Sequence, residues 1–450
     1  MTSSRTNTSE TSSDTLSTFP EGPDERACYV ASVGPDRDPY AREAQLAEIV
    51  SLTTTRGHRI VGSEILRLVE PRARTFLGKG TAEALAARAR AAGATMLVLD
   101  AELSPSQTRN LEEVTGMPIC DREAVILGVF LRHARTRKAR IQVDIAELEY
   151  LRPRIRGVGL DMDQQMGGLP GARGPGETAS ELLARKLDGR LHELRKALRR
   201  IETSGRTQRK ERNGDDACKR IALVGYTNAG KTSLMNALTG ADLSAKDAPF
   251  ETLDTTTRSL TRHGGDVILS DTVGFIRRLP DRLLESFEST LAEVAEASLL
   301  VLVVDVSDVE RALHLRTTRD LVAKVGAGDV PRLVVFTKAD RLITAPRPAE
   351  LARLAGGDPW VFLSTTDREA VADLGSRLLE EVRKGEDEVT AFVPWAASDR
   401  LALVYRTCRV LGSVPSDEGL TLHVRGPRKV TSRIREGDPS RTRDRVGPQP

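Results

Sequence analysis

Cysteine is scarce in this 450-residue chain. Its four cysteines (Cys28, Cys120, Cys218 and Cys408) stand far apart, with no pair at metal-ligand or redox-motif spacing. That excludes a disulfide scaffold and points to reduced thiols in a cytoplasmic protein. The six histidines are equally scattered and set out no zinc pattern. Long apolar runs are missing too: the strongest, Leu299 to Val304, is far too short to span a bilayer. Met1 to Thr18 holds twelve Ser/Thr and a single Leu. It lacks the apolar segment of a signal peptide, and residues 1–27 read as a disordered leader. The net charge is only +3, so any nucleic-acid surface must come from local clustering.

What is present is the profile of a globular chain of two or three domains, with 29% charged and 39% hydrophobic residues. One stretch organises it: Gly225-Tyr226-Thr227-Asn228-Ala229-Gly230-Lys231-Thr232, a full G-x-x-x-x-G-K-[ST] match. The apolar run Ile221–Val224 before it reads as a buried strand, and Ser233–Leu238 after it as a helix. In that context successive backbone N–H groups and a helix N-terminus converge on an anion, which makes the pattern a phosphate-binding loop. Lys231 would reach the outer phosphates, and the Thr232 hydroxyl would ligate Mg2+.

Upstream, Cys28–Val33 and Met96–Asp100 read as strands, Ala41–Leu52 and Ala82–Ala92 as helices, and Ser104-Pro105 as a helix start. Residues 28–121 are therefore expected to form a small α/β domain with a parallel sheet. Residues 122–205 change character. Ala124–Leu151 reads as one long helix that Pro153 ends. Leu183, Leu187, Leu191, Leu194, Leu198 and Ile201 repeat at spacings of four and three, a coiled-coil-like seam. An antiparallel helical hairpin follows, with the glycine-rich segment Gly167–Thr178 at its tip. That segment reads either as a connector or as an RNA contact. Pro170 and Pro175 restrict it, its glycines let another backbone approach, and Arg173 is a phosphate-seeking guanidinium. Residues 132–156 hold eight Lys/Arg against three acidic residues, a face that is either simply solvated or in contact with RNA. Residues 206–216 read as a polar linker.

From residue 217 to 387 strands and helices alternate, as in a doubly wound sheet with a nucleotide at the strand C-terminal ends. Strand candidates are Ser259–Thr261, Val267–Leu269, Leu299–Asp305, Leu333–Phe336 and Val361–Leu363. Asp271-Thr272-Val273-Gly274 follows one of them: Asp271 would hold Mg2+ through water, and the Gly274 amide would sense the terminal phosphate. In Phe250-Glu251-Thr252-Leu253-Asp254-Thr255-Thr256-Thr257 a hydroxyl could complete the Mg2+ shell only when that phosphate is present. Thr252 is the choice among four competing threonines. Lys231, Thr252 and Gly274 are then the candidate catalytic groups, and Thr232, Thr252 and Asp271 the metal shell.

Thr337-Lys338-Ala339-Asp340 follows a buried strand, where a base-reading loop belongs. Asp340 would accept two hydrogen bonds from guanine that adenine cannot give, and Lys338 would lie along the ring. Thr337 stands where asparagine is usual; being shorter, it predicts reduced affinity. Ser364, Thr365 and Thr366 fit a final loop touching the base. Residues 388–425 suggest a small C-terminal α/β region, and 426–450, with seven Lys/Arg, a disordered basic tail.

With these residues in view, the chain resembles the HflX family of ribosome-associated GTPases. Leu77-Gly78-Lys79-Gly80, Glu102-Leu103-Ser104-Pro105, Ala134-Arg135-Thr136-Arg137, Gly174-Pro175-Gly176-Glu177-Thr178, the phosphate loop, Phe250-x-Thr252-Leu253-Asp254 and Asp271–Arg277 carry the likeness. The resemblance implies GTP and GDP as ligands and association with the large ribosomal subunit and its rRNA. It implies that the glycine loop reaches toward the peptidyl-transferase region, and that the protein splits or rescues stalled ribosomes under stress or antibiotic exposure. Departures mark a divergent paralogue: Ala179 and Ser180 precede Glu181, Thr255 stands where proline is usual, and Thr337 replaces asparagine. Phe275 occupies the place where many GTPases carry a water-orienting glutamine, which predicts slow intrinsic turnover completed by a partner. Asn228 is expected to help hold K+. The chain is expected to act as a monomer. The alternatives are a weakly hydrolysing RNA-binding scaffold and a switch acting on a protein partner.

Overall fold

The structure, a computed structural model, describes residues 25–34, 38–155, 179–212, 219–241, 256–260, 267–272, 274–287 and 293–436. The leader, the Gly167–Thr178 loop, Phe250–Asp254 with Thr252, Val273 and the residues after Glu436 lie outside them. The chain divides into two compact units, Met1–Leu103 with Gln107–Arg122, and Ser104–Ser106 with Glu123–Pro450.

The first unit alternates strands and helices: β1 (Ala27–Gly34), α1 (Pro39–Thr55), β2 (Arg59–Arg67), α2 (Lys79–Ala91), β3 (Met96–Asp100), α3 (Pro105–Thr115) and β4 (Ile119–Asp121). The sheet order is β2-β1-β3-β4, all parallel, as the sequence leads one to expect. Strand β3 is buried along its whole length, which is why it reads as a continuous apolar run. Strand β2 is only partly buried, and it escaped the sequence reading.

In the second unit the predicted long helix is two: α4 (Arg122–His133) and α5 (Arg137–Ile155). The break has a local cause. The Thr136 hydroxyl accepts from the Ala139 amide at 3.1 Å and so caps a new helix. Pro153 does not end α5, which runs on to Ile155; so near the C-terminus a proline forfeits one backbone bond in the final turn rather than breaking a helix interior. Helix α6 (Ala179–Arg212) returns alongside α5, and Ile141, Ile145, Leu191 and Leu194 form the buried seam. Arg152–Asp188 at 2.7 Å and Arg195–Glu149 at 2.6 Å pair the two helices antiparallel. The expected linker is helical through Arg212, because its Lys, Arg, Gln and Glu residues are good helix formers.

The nucleotide-binding part contains β5 (Lys219–Gly225), α7 (Lys231–Thr239), β6 (Thr256–Ser259), β7 (Val267–Asp271), α8 (Asp281–Ser286), β8 (Leu299–Asp305), α9 (Arg311–Lys324), β9 (Arg332–Thr337), α10 (Pro348–Ala355), β10 (Trp360–Phe362) and α11 (Arg368–Val382). Sheet order is β10-β9-β8-β5-β7-β6. All neighbours are parallel except β6, which runs antiparallel to β7. Strand β6 begins at Thr256 rather than Ser259, since its register is set by pairing Thr256 with Asp271 and Ser259 with Ile268. Strand order reverses between β7 and β8 on either side of β5, and a doubly wound sheet places ligands at such a switch point.

A three-stranded antiparallel sheet, β11 (Glu386–Pro394), β12 (Arg409–Pro415) and β13 (Gly419–Pro427), follows in the order β11-β13-β12, with α12 (Ser398–Thr407) and α13 (Arg428–Glu436). Helix α13 corrects the expectation of a disordered tail from residue 426. The basic composition hid an apolar pair one turn apart: Ile434 joins the buried core and Val430 packs on it. No described helix is long and apolar enough to cross a membrane. Cys28, Cys120 and Cys408 are buried free thiols, and burial pushes Cys28 up to about 12.

Candidate nucleotide site

The site is assembled from loops at the C-terminal ends of β5, β7, β8, β9 and β10. The phosphate loop leaves β5 at Gly225, where a Cβ would stand 2.3 Å from the Val303 carbonyl oxygen of the neighbouring strand. Only glycine fits. Asn228 and Gly230 take positive φ (61° and 90°), the conformations that curl the loop's amides inward before α7 begins at Lys231. The buried Lys231 ammonium donates to the Gly225 and Tyr226 carbonyls at 3.1 and 2.9 Å. Burial pushes its pKa down to about 8, against the attraction of Asp271.

Thr232 and Asp271, predicted together, are brought together: the Thr232 hydroxyl donates to the Asp271 carboxylate at 2.8 Å. These are hard oxygen donors, the kind Mg2+ selects. Among the described residues no cluster of three or more His, Cys, Asp or Glu could cage a metal by itself.

Thr272 is not directed at the ligand. It is buried, and its hydroxyl ties β7 to the Leu223 carbonyl at 2.7 Å. Gly274 lies against the phosphate loop: a Cβ there would stand 2.9 Å from Thr227 Cγ2 and 3.1 Å from Lys231 Nζ. Phe275 is bridged to the same loop, its carbonyl accepting from the Thr227 amide (2.7 Å) and its amide donating to Gly225 (3.0 Å). Its ring is 1% exposed, so this position is part of the core. Phe275→Gln should therefore cost roughly 3 kcal/mol of stability by burying an amide in place of a ring, and leave turnover within about twofold. Denaturant unfolding and single-turnover hydrolysis check the two halves of that expectation.

The loop expected to read the base departs from that expectation at its first residue. Thr337 is fully buried, and its hydroxyl lies 2.7 Å from the Ala229 carbonyl and 3.2 Å from that of Val304. Threonine here tethers β9 to the phosphate loop and does not reach toward a base. Lys338 has a positive φ of 58°, and its ammonium meets the Asn228 carbonyl at 2.6 Å and Asp305 at 2.8 Å. The same ammonium stands 3.5 Å from Asn228 Oδ1. Past Ala339, Asp340 accepts from the Ser364 hydroxyl, which holds its carboxyl below the ordinary range and aligns it. Ser364 in turn meets Thr366 at 2.8 Å, with Thr365 between them in the turn.

Tyr226 is the residue whose part the sequence concealed. Its ring stacks on His314 of α9, centroids 3.6 Å apart and 10° from parallel, and its hydroxyl accepts from the Arg277 amide at 2.8 Å. Arg277 pairs with Glu310, and His314 Nδ1 lies 3.1 Å from Asp308. Nothing in the sequence pointed to His314. The Asp305-Val306-Ser307-Asp308 run at the end of β8 could have suggested Asp308 as an acidic partner.

Three family models match in tandem. Residues 43–131 match "GTP-binding GTPase N-terminal", 133–212 "GTP-binding GTPase Middle Region" and 220–338 "50S ribosome-binding GTPase". With the loop order on the sheet, these define a P-loop GTPase, a protein that binds and hydrolyses GTP. A GTPase HflX of Spirochaeta thermophila is 41% identical over 327 residues, 72% of this chain and 78% of that one. One from Gluconacetobacter diazotrophicus is 37% identical over 447 residues, 91% of this chain and 97% of that one. The chain belongs to the HflX family of GTPases. Among solved structures, a GTP-binding protein from Sulfolobus solfataricus in complex with GDP aligns over 80% of this chain and 99% of that one, at 19% identity and a TM-score of 0.43.

Proposed function

We propose that this GTPase associates with the large ribosomal subunit in a nucleotide-dependent way and splits or rescues stalled ribosomes in the cytoplasm. The observation that carries the reading is the match of residues 220–338 to the 50S ribosome-binding GTPase model. The antiparallel hairpin of α5 and α6 supports it: Arg137, Arg152 and Arg154 lie on α5, and the helices lead to the Gly167–Thr178 segment proposed to meet rRNA. In this reading Thr232 and Asp271 hold Mg2+, with Thr252 joining when the terminal phosphate is present. Lys231 bonds the outer phosphates and the Gly274 amide senses the last of them. Asp340 reads guanine with Lys338 along its face, and Ser364–Thr366 align Asp340. Mg2+ held by Thr232 and Asp271 would neutralise charge on the outer phosphates, and the chain's own residues orient them.

A core phenyl at position 275 cannot orient a nucleophilic water, so intrinsic turnover is slow and the bound ribosome completes the site. Asn228 is the proposed K+ ligand. Turnover measured in K+ and in Na+, each with and without large subunits, tests both statements. Stimulation by subunits on the order of tenfold or more, greater in K+, is expected. Equal rates in all four conditions would sink both.

A further inference from the structure

The segment from Gly274 to Phe287 is tied down at both ends, and its two anchors lie in different parts of the second unit. At the front, Phe275 exchanges two backbone hydrogen bonds with the phosphate loop, the Arg277 amide donates to the Tyr226 hydroxyl, and the Arg277 side chain pairs with Glu310. At the rear stands the short helix α8. Its last carbonyl, that of Ser286, accepts from Gln142 Nε2 at 2.7 Å, and Gln142 is 1% exposed on α5. Next to it the buried Phe287 ring meets Phe130 of α4 edge to face, centroids 5.2 Å apart at 76°. Arg282 on α8 stands 3.8 Å from Glu123 on α4.

Neither Gln142 nor Phe130 belongs to the nucleotide-binding sheet or its loops. Yet both hold the far end of the segment whose first residue lies against Thr227 and Lys231. A buried amide aimed at a helix-terminal carbonyl holds that terminus, because withdrawing the donor leaves a half-buried acceptor without that bond. A segment of this length held only at the front would keep the backbone freedom that ordering must otherwise remove.

We propose that Gln142 and Phe130 are positioning residues for the terminal-phosphate sensor: by anchoring α8 they set where Gly274 stands at the phosphate loop, and so set the preference for GTP over GDP. This makes α4 and α5, the base of the hairpin, a part of the switch. The inference rests on the reading of Gly274 as that sensor.

The test uses the full chain and two conservative variants that break the rear anchor by different chemistry. Gln142→Leu keeps volume and removes the donor; Phe287→Leu keeps an apolar side chain and removes the ring pair. Affinities are measured for a non-hydrolysable GTP analogue and for GDP. Each variant should lower the preference for the analogue about fivefold with GDP affinity unchanged, the equivalent of one neutral hydrogen bond. Unchanged GDP binding also shows that the nucleotide fold is intact, which a merely structural role for Gln142 would not predict alongside a lost preference. Gly274→Ala is the reference, its added Cβ meeting Thr227. If Gly274→Ala loses the preference while both anchor variants keep it, or if they weaken both nucleotides equally, the anchor role is wrong. If Gly274→Ala itself keeps the preference, the sensor reading fails and this inference falls with it.

Discussion

Asp340→Asn is expected to lower GTP affinity by about 150-fold or more and to shift the chain's preference toward xanthosine triphosphate. The carboxylate offers two acceptors to the two N–H groups on the guanine edge. Asparagine offers one acceptor and one donor, so an N–H would face an N–H. Hydrogen bonds to a charged group are worth roughly 1.5–3 kcal/mol each. Reducing one to a neutral bond while turning the other into a donor facing a donor costs about 3 kcal/mol, which is roughly 150-fold in affinity. Xanthine presents a carbonyl where guanine has its amino group, and the asparagine amide can donate to it. The Ser364 hydroxyl, which now donates to Asp340, keeps a side-chain oxygen to bond in the variant. Parallel titrations with both nucleotides measure the exchange. Unchanged GTP affinity would remove Asp340 from the base site.

Lys231→Ala should abolish measurable hydrolysis and weaken GTP binding by roughly 100-fold or more, the scale expected when a buried, charge-assisted hydrogen bond is removed. The ammonium is held by two loop carbonyls, so its removal takes away the charge and also leaves the Gly225 and Tyr226 oxygens without that donor. The same group predicts a pH dependence. Burial has lowered its pKa to about 8 in the ligand-free protein, and the negative phosphates raise it on binding. Nucleotide affinity that depends on the charged form is therefore complete below about pH 8. It declines as pH rises through that value, by up to about 1.4 kcal/mol per pH unit until the bound-state pKa is passed. Titrations across that range should show the decline in the native chain. A flat profile would mean that Lys231 stays charged when the site is empty.

Much of the site was legible because each motif sits where a strand runs out. The apolar runs Ile221–Val224, Leu299–Val304 and Leu333–Phe336 announce central strands, and the polar residues after them are the loops that a doubly wound sheet gathers at one edge. The seam of α5 and α6 was equally visible, since Leu187, Leu191 and Leu194 follow helical spacing and are buried as that spacing implies. What escaped depends on tertiary context. Strand β2 carries no continuous apolar run because it is only partly buried. The α4–α5 break turns on one threonine hydroxyl bonding locally. Thr337 and Thr272 look like ligand-facing polar residues in the sequence, yet each commits its hydroxyl to a backbone carbonyl inside the sheet. Tyr226 lies in the phosphate-loop motif, but its ring turns to α9 and its hydroxyl to the segment after Gly274. A motif states which backbone cradles a phosphate; it does not state where a side chain that avoids the phosphate will go.

In the function proposed above, the nucleotide bound at this site governs attachment to the large ribosomal subunit. Cosedimentation of the full chain with purified large subunits, in a non-hydrolysable GTP analogue and in GDP, should then show salt-sensitive binding with the analogue and little with GDP. Equal recovery with either nucleotide, or none with both, would contradict it.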